Sequence, residues 1–237
     1  MFPLKDDNPT TIKPIVTLSL ILLCFIIFFY QLSIGELKNY EFIYEYGMKP
    51  KETLNFLSIN NCFTLFSSMF LHGGFLHLIG NMLFLWIYGN NIEDSMGHIR
   101  FLFFYLLCGI AAALLQAIIN PSSNIPMIGA SGAVSGILSA YLLLFPRAKV
   151  STLVIIIFFI TVIRLPAGLL IIIWFLTQLF NASLSDPNSP GVAWFAHIGG
   201  FCMGALLIPF FKKEKFKFFS AGNKEKNIKR IRLRFRK

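Results

Sequence analysis

Long apolar runs constrain this sequence more than any other feature. A helix needs about 20 predominantly apolar residues to cross the hydrocarbon core of a bilayer. Six segments come close to that length, at residues 14–33, 75–91, 99–119, 129–145, 166–182 and 192–211. Only 14% of the 237 residues are charged, against roughly a quarter in soluble domains. We therefore predict an all-α polytopic membrane protein, built as a bundle of six transmembrane helices.

The basic residues indicate how the bundle is oriented. Twelve of the 21 Lys and Arg residues lie in residues 212–237, directly after the last apolar run. Basic segments beside a transmembrane helix are typical of the cytoplasmic side, where they face anionic lipid. We therefore expect a basic cytoplasmic tail that contacts anionic lipid and not nucleic acid. An even number of spans then places residues 1–13 in the cytoplasm too, and the first run is expected to be a retained signal anchor.

Two apolar stretches do not fit the simple count of spans. Residues 63–72 run into Gly73 and Gly74, which interrupt a helix. We interpret residues 34–74 as a long outer loop, partly sunk in the membrane surface. Residues 150–163 are β-branched and too short to span comfortably, and we expect an interfacial or re-entrant segment there. The six-span domain is then residues 14–211.

Ser131 is the strongest candidate for a chemical role. It lies in the sequence GASG, in the first turn of a helix that is predicted to enter the membrane from outside. Unpaired backbone N–H groups and the positive end of the helix dipole suit a nucleophile whose reaction intermediate carries an oxyanion. Gly132 and its neighbour Gly136 also fit a second interpretation, in which this stretch is a helix-packing motif.

His197 is the candidate general base for Ser131. It lies near the outer end of the last span, and Gly200 and Gly204 follow it at three and seven residues. A glycine face of this kind allows two helices to approach closely, so a hydrogen bond from Ser131 to the imidazole becomes feasible. A structural histidine is the alternative, but a serine at matching depth favours the general base.

His77 and Asn81 lie one turn apart on the second span. Both can donate hydrogen bonds, as an oxyanion hole requires, although a polar clamp between helices would explain the pair equally well if it stood alone. All four polar residues are predicted at the same outer depth.

Other protease chemistries fit this sequence poorly. There is no HExxH motif, and every Asp and Glu is predicted in a tail or a connection. We therefore expect no metal site and no cofactor, and a Ser-His dyad without a third carboxylate member. The four cysteines are scattered without metal-ligand spacing.

These motifs resemble those of the rhomboid family of intramembrane serine proteases, with a six-span core of bacterial type. The matching stretches are HGGFLHLIGNMLFLWIYGNNIEDSMGH at 72–98, GASGAVSG at 129–136 and AHIGGFCMG at 196–204. The resemblance implies a catalytic Ser131–His197 dyad. It also implies an oxyanion site formed by the Ser131 backbone N–H with His77 and Asn81. Some members carry a Trp-Arg pair in the first outer loop, which residues 34–62 lack.

The resemblance further implies close helix packing through Gly200 and Gly204, and we expect Gly129 and Gly132 to pack closely at the same site. Its expected substrates are single-span membrane proteins, cut near the outer end of the substrate helix in a site that opens to the outer face. Because the N-terminus does not resemble a transit peptide, we expect a bacterial inner membrane, with an organelle as the alternative. A non-enzymatic relative that binds transmembrane helices, or a small transporter or channel, are the competing functional hypotheses.

Overall fold

The computed structural model describes residues 2–54, 58–156, 159–186 and 191–220, and these residues are mostly helical. In chain order the elements are β1 (Phe2–Asp6), α1 (Ile15–Ser33), α2 (Glu36–Tyr46), α3 (Pro50–Thr53), α4 (Ile59–Ser67), α5 (Phe75–Phe84), α6 (Asn90–Met96), α7 (His98–Ile119), α8 (Ser131–Leu144), β2 (Lys149–Ile156), β3 (Phe159–Pro166), α9 (Ala167–Leu184) and α10 (Trp194–Phe211). A 3₁₀ turn follows α4, and a π-helical turn joins α5 to α6. Of the predicted basic tail, residues 221–237 lie outside the described part of the chain.

Helices occupy all six predicted apolar segments, which confirms a polytopic helical bundle. Four of them, α1, α7, α9 and α10, are long and apolar enough to cross a membrane. A fifth candidate is a pair of helical stretches, Ile59–Phe70 and Phe75–Met96, that meet at an angle of 84°. Helix α8 has only 14 residues, about 21 Å of helix against a hydrocarbon core of roughly 30 Å. The exact count of six spans stays a prediction.

Helix α8 is the centre of the bundle. Its residues from Gly132 to Tyr141 are all buried, and it packs between α7 and α10. The small residues of α8 explain this position. A Cβ added at Gly132 would lie 2.5 Å from the Cβ of Ala112 on α7, and one added at Gly136 would lie 2.6 Å from the Cβ of Cys108. Glycines therefore allow the three helices to pack with their backbones close together.

The described residues of the segment 150–163, which was expected to be interfacial or re-entrant, lie in two paired strands. Strand β2 pairs antiparallel with β3, from Lys149 opposite Pro166 to Ile156 opposite Phe159. Strand β1 adds to the other edge of β2 and gives the sheet order β1-β2-β3. A run rich in Val, Ile and Thr favours strand over helix. The sheet is an addition to the predicted helical architecture, and it gives structure to part of the N-terminal segment.

The predicted outer loop, residues 34–74, is organised into α2, α3, α4 and the 3₁₀ turn. It is tied to the connection before α8 at two points. Met48 forms an isolated β-bridge with Met127, and the Ser68 carbonyl accepts a hydrogen bond from the Gly129 N–H at 2.8 Å. These contacts connect the loop to the residues that immediately precede Ser131.

A buried carboxylate holds the first helix against α6. Glu93 was expected in a connection, but it lies in α6 and is fully buried. Its two carboxylate oxygens accept hydrogen bonds from the backbone N–H groups of Val16 and Thr17, the Thr17 hydroxyl and His98 Nδ1, at 2.6–2.9 Å. The carboxylate therefore satisfies N–H groups of the first turn of α1 that have no acceptor within the helix.

Candidate functional site

Ser131 is the first residue of α8. The preceding Ala130 is the N-cap residue, and its carbonyl accepts the first hydrogen bond of the helix from Val134. The N–H groups of the first turn therefore have no acceptor within the helix, and they lie beside the Ser131 hydroxyl. A negatively charged oxygen held at this point would meet those N–H groups and the positive end of the helix dipole.

The other two serines of α8 differ from Ser131 in what their hydroxyls do. Ser135 Oγ donates to the Ser131 carbonyl at 2.6 Å, and Ser139 Oγ donates to the Gly136 carbonyl at 2.9 Å. Both side chains are buried within the helix contacts. Only the Ser131 hydroxyl, among these three, faces a histidine.

His197 meets Ser131 from the first turn of α10. Its Nε2 lies 2.8 Å from Ser131 Oγ. The imidazole is 8% exposed and packs against two tryptophan rings, Trp174 of α9 at 5.9 Å and Trp194 at 6.0 Å between centroids. The two tryptophan rings therefore restrict the imidazole, and its Nε2 lies at the start of α8.

The second nitrogen of His197 contacts a residue that the sequence analysis did not select. Nδ1 lies 2.8 Å from Oε1 of Gln178, which is in α9 and 4% exposed. Gln178 Nε2 in turn donates to the Trp174 carbonyl at 2.9 Å and to Thr177 Oγ1 at 3.0 Å. A buried amide in an apolar membrane span costs free energy. A glutamine inside such a span was therefore the sequence feature that could have identified Gln178.

The close approach of α8 and α10 brings Ser131 and His197 together. A Cβ at Gly200 would overlap the Gly132 backbone, and a Cβ at Gly204 would overlap the Gly136 backbone. Gln116 of α7 adds a polar link, since its Oε1 accepts a hydrogen bond from the Ala196 N–H at 3.1 Å. Of the predicted packing glycines, Gly132, Gly200 and Gly204 thus lie at this backbone-to-backbone contact, whereas Gly129 precedes α8 and lies outside it.

His77 and Asn81 line the same cavity as Ser131 and His197. His77 Nε2 faces Gly129, where a Cβ would lie only 2.7 Å away, and Asn81 Nδ2 would lie 3.7 Å from that Cβ. Gly129 also has φ +119°, a backbone conformation that favours glycine. The glycine therefore gives the His77 ring room beside the residues that lead into Ser131.

The cavity has a volume of about 680 Å³. Its lining includes five polar side chains of the site together with three aromatic ones: Ser131, His197, His77, Asn81, Gln116, Trp174, Trp194 and Phe84. A cavity of this size accommodates a short extended peptide segment beside the Ser131 hydroxyl. Among the residues that the structure describes, no group of three His, Cys, Asp or Glu side chains could hold a metal ion.

Comparison with known proteins gives the family. A family model for the Rhomboid domain matches residues 60–214, which include α5 to α10 and every residue of the site. The chain belongs to the rhomboid family. Integral membrane location follows from this membership together with the apolar helices.

Relatives of this rhomboid come from plants, fungi and bacteria. It is 31% identical over 167 residues to "RHOMBOID-like protein 1" of Arabidopsis thaliana. The aligned region covers 67% of this chain and 37% of the relative. It is 30% identical over 179 residues to "Rhomboid protein 1, mitochondrial" of Saccharomyces cerevisiae, 71% of this chain and 46% of the relative. It is 33% identical over 130 residues to "Rhomboid protease GluP" of Bacillus subtilis, 55% of this chain and 24% of the relative. The chain spans less than half the length of each of these rhomboids.

Proposed function

We propose that this chain is an intramembrane serine endopeptidase that cleaves transmembrane segments by a Ser131–His197 dyad. The observation that carries the proposal is the 2.8 Å contact between Ser131 Oγ and His197 Nε2. At this distance the imidazole can take the hydroxyl proton while the oxygen attacks a carbonyl carbon. Membership of the rhomboid family and the protease name of the Bacillus subtilis relative support the same activity.

The reaction needs four proton transfers at His197, which takes up and gives back a proton once in acylation and once in deacylation. Ser131 Oγ attacks the peptide carbonyl and its proton moves to Nε2. The C–N bond then breaks, and His197 gives the proton to the leaving amine, which leaves an acyl ester on Ser131. Water attacks the ester carbonyl and His197 takes a proton from it. The bond from the carbonyl carbon to Ser131 Oγ then breaks, His197 returns its proton to Oγ, and the carboxylic acid leaves.

The tetrahedral intermediates carry a negative oxygen that needs hydrogen-bond donors. The Ser131 backbone N–H, the His77 side chain and the Asn81 amide are the proposed donors. They line one cavity, and His77 Nε2 and Asn81 Nδ2 both approach the Gly129 backbone just before Ser131. Donors arranged in advance around a developing charge lower the barrier more than groups that must reorganise.

The proposed substrates are single-span membrane proteins cut near the outer face, because Ser131 is expected at the outer end of its helix. The same orientation keeps both termini in the cytoplasm and brings Lys212, Lys213, Lys215 and Lys217 to anionic lipid. A bacterial inner membrane is the proposed location.

Ser131→Ala tests the proposal directly. Purified wild-type protein in detergent is expected to cleave a model transmembrane substrate and to react with a fluorophosphonate probe, and Ser131→Ala is expected to do neither. Ser139→Ala is the matched control, because it removes another hydroxyl from α8. The Ser139 hydroxyl is buried and donates to a backbone carbonyl of the same helix. Ser139→Ala should keep cleavage and labelling.

Equal cleavage by Ser131→Ala and wild type contradicts the assignment. Co-purification of an intact transmembrane partner with wild type, without any cleavage, indicates the alternative of a non-enzymatic binder. Ion or solute flux in liposomes indicates a transporter or channel.

A further inference from the structure

We infer that Gln178 is a positioning residue for His197, which fixes the proton of the imidazole on Nδ1 and leaves the Nε2 lone pair for the Ser131 hydroxyl. The inference rests on the proposed function for its catalytic consequence, but its geometry stands alone. Gln178 Oε1 lies 2.8 Å from His197 Nδ1, and Ser131 Oγ lies 2.8 Å from Nε2.

The orientation of the Gln178 amide follows from its other contacts. A backbone carbonyl can only accept a hydrogen bond, so the group that lies 2.9 Å from the Trp174 oxygen must be the amide NH₂. Thr177 Oγ1 donates to the same carbonyl at 2.6 Å, and its oxygen is therefore free to accept from the Gln178 NH₂ at 3.0 Å. Both contacts direct the amide oxygen to the opposite side, toward His197.

The orientation of the amide determines the state of the imidazole. An amide oxygen is an acceptor, so the Nδ1 that it contacts must carry a hydrogen. A neutral imidazole has one N–H, and Nε2 is then an acceptor that receives the Ser131 O–H. The opposite tautomer would place a lone pair of Nδ1 against the Gln178 oxygen. It would also make Nε2 a donor to Ser131 Oγ, so that Nε2 could not take the hydroxyl proton.

A neutral amide suits this location better than a carboxylate. Gln178 is 4% exposed and lies on an apolar helix that is long enough to cross a membrane. A carboxylate there would be desolvated at high cost, whereas an amide orients the ring without a buried charge. Gln178 therefore supplies the orienting half of what an aspartate does in a Ser-His-Asp triad, without its charge.

The kinetic test uses Gln178→Met, which keeps the length of the side chain and removes the oxygen acceptor. We expect kcat to fall about 10- to 100-fold, the range found when a group that orients a metal-ligating histidine is removed, with KM changed by less than about two-fold. Gln178→Glu is expected to recover most of kcat, because in its protonated form it restores an acceptor toward His197 and a donor toward the Trp174 carbonyl. A changed KM with an unchanged kcat in Gln178→Met contradicts a positioning role. So does the absence of any recovery of kcat in Gln178→Glu.

The second measurement does not need activity. Nitrogen-15 NMR of histidine-labelled protein distinguishes a protonated from an unprotonated ring nitrogen, and the His197 signals are assigned by their absence in His197→Asn. At neutral pH the wild type should carry the proton on Nδ1, and Gln178→Met should lose this preference. Gln31→Met is the matched control, since it removes another buried glutamine whose hydrogen bonds to Asn39 and the His72 backbone lie outside the cavity, and it should keep the Nδ1 proton.

The two measurements separate the two proposals. Absence of cleavage by wild type overturns the proposed function, while the NMR signals still decide the role of Gln178. A wild-type proton on Nε2, or the same tautomer in Gln178→Met and wild type, overturns the inference about Gln178 whatever the activity is.

Discussion

At the scale of single residues, neutral groups surround the proposed dyad of Ser131 and His197. Gln178 faces one nitrogen of His197, Ser131 faces the other, and two tryptophan rings hold the plane of the imidazole. Hydrogen bonds in a water-poor site are stronger than in water, but an unpaired polar group there is also more costly. Each polar side chain of the site is therefore expected to matter through the bond it makes and through the partner it would leave unpaired.

Asn81→Ala tests the proposed oxyanion site at this scale. Removal of one donor is expected to reduce kcat about 10²- to 10³-fold with little change in KM, because the bond forms only as the carbonyl oxygen becomes negative. Asn39→Ala removes an amide hydrogen bond to Gln31, outside the cavity, and is the control. Steady-state cleavage in detergent gives both parameters, and equal kcat values for Asn81→Ala and wild type would exclude the role.

At the scale of elements, the contact between α8 and α10 determines whether a site exists. Gly200 of α10 lies against the Gly132 backbone, where a side chain cannot rotate away from a clash. Gly80 of α5 offers a contrast, since a Cβ there would meet nothing within 4 Å.

Gly200→Ala is therefore expected to lower the free energy of unfolding by on the order of 3 kcal/mol and to abolish cleavage, because the two helices must separate. Gly80→Ala should be neutral or stabilising for the fold, since alanine is about 1 kcal/mol better than glycine in a helix. Thermal melting of both variants in the same detergent measures the difference. Similar melting temperatures for the two variants would contradict this account of the packing.

The helices were predictable from the sequence because a membrane span needs a long apolar run, and Ser131 and His197 were found because polar groups at one depth stand out against such runs. The sheet was not predictable in the same way. Strand β1 pairs Phe2 with Leu153 and Asp6 with Val150. A local sequence pattern does not indicate which distant segment a strand will pair with. Gln178 was missed for a related reason, since its role depends on three helices meeting around His197.

At the scale of the whole molecule, the N-terminal strand connects the sheet to the bundle. Asp6 ends β1, and its Oδ2 accepts hydrogen bonds from Asn91 of α6 at 2.9 Å and from the Tyr141 hydroxyl of α8 at 2.8 Å. The opposite end of α8 carries Ser131. One side chain thus ties the sheet to the end of the central helix that is remote from the site.

Burial raises the pKa of Asp6 from 3.8 to about 6. This pKa lies above that of Asp6 in the unfolded chain, so the folded state favours the protonated carboxyl. The contribution of Asp6 to the free energy of unfolding is therefore complete below about pH 4 and is lost as the pH rises through about 6. We expect Asp6 to lower the free energy of unfolding by on the order of 2 to 3 kcal/mol across this window. The melting temperature, measured against pH, should fall with it. Asp6→Asn should flatten the profile, and parallel profiles for the variant and wild type would contradict the assignment.

The shortness of α8 has a consequence for solvent. Lipid cannot satisfy the backbone N–H groups at the start of this helix, and leaving them bare would cost several kcal/mol each. We therefore expect water molecules to occupy them at rest, deep below the level of the lipid headgroups. In the proposed reaction a substrate carbonyl would displace this water, and the later hydrolysis of the acyl ester would need water to return to the same place. Hydration would then be a competitor of the substrate before acylation and a reactant after it.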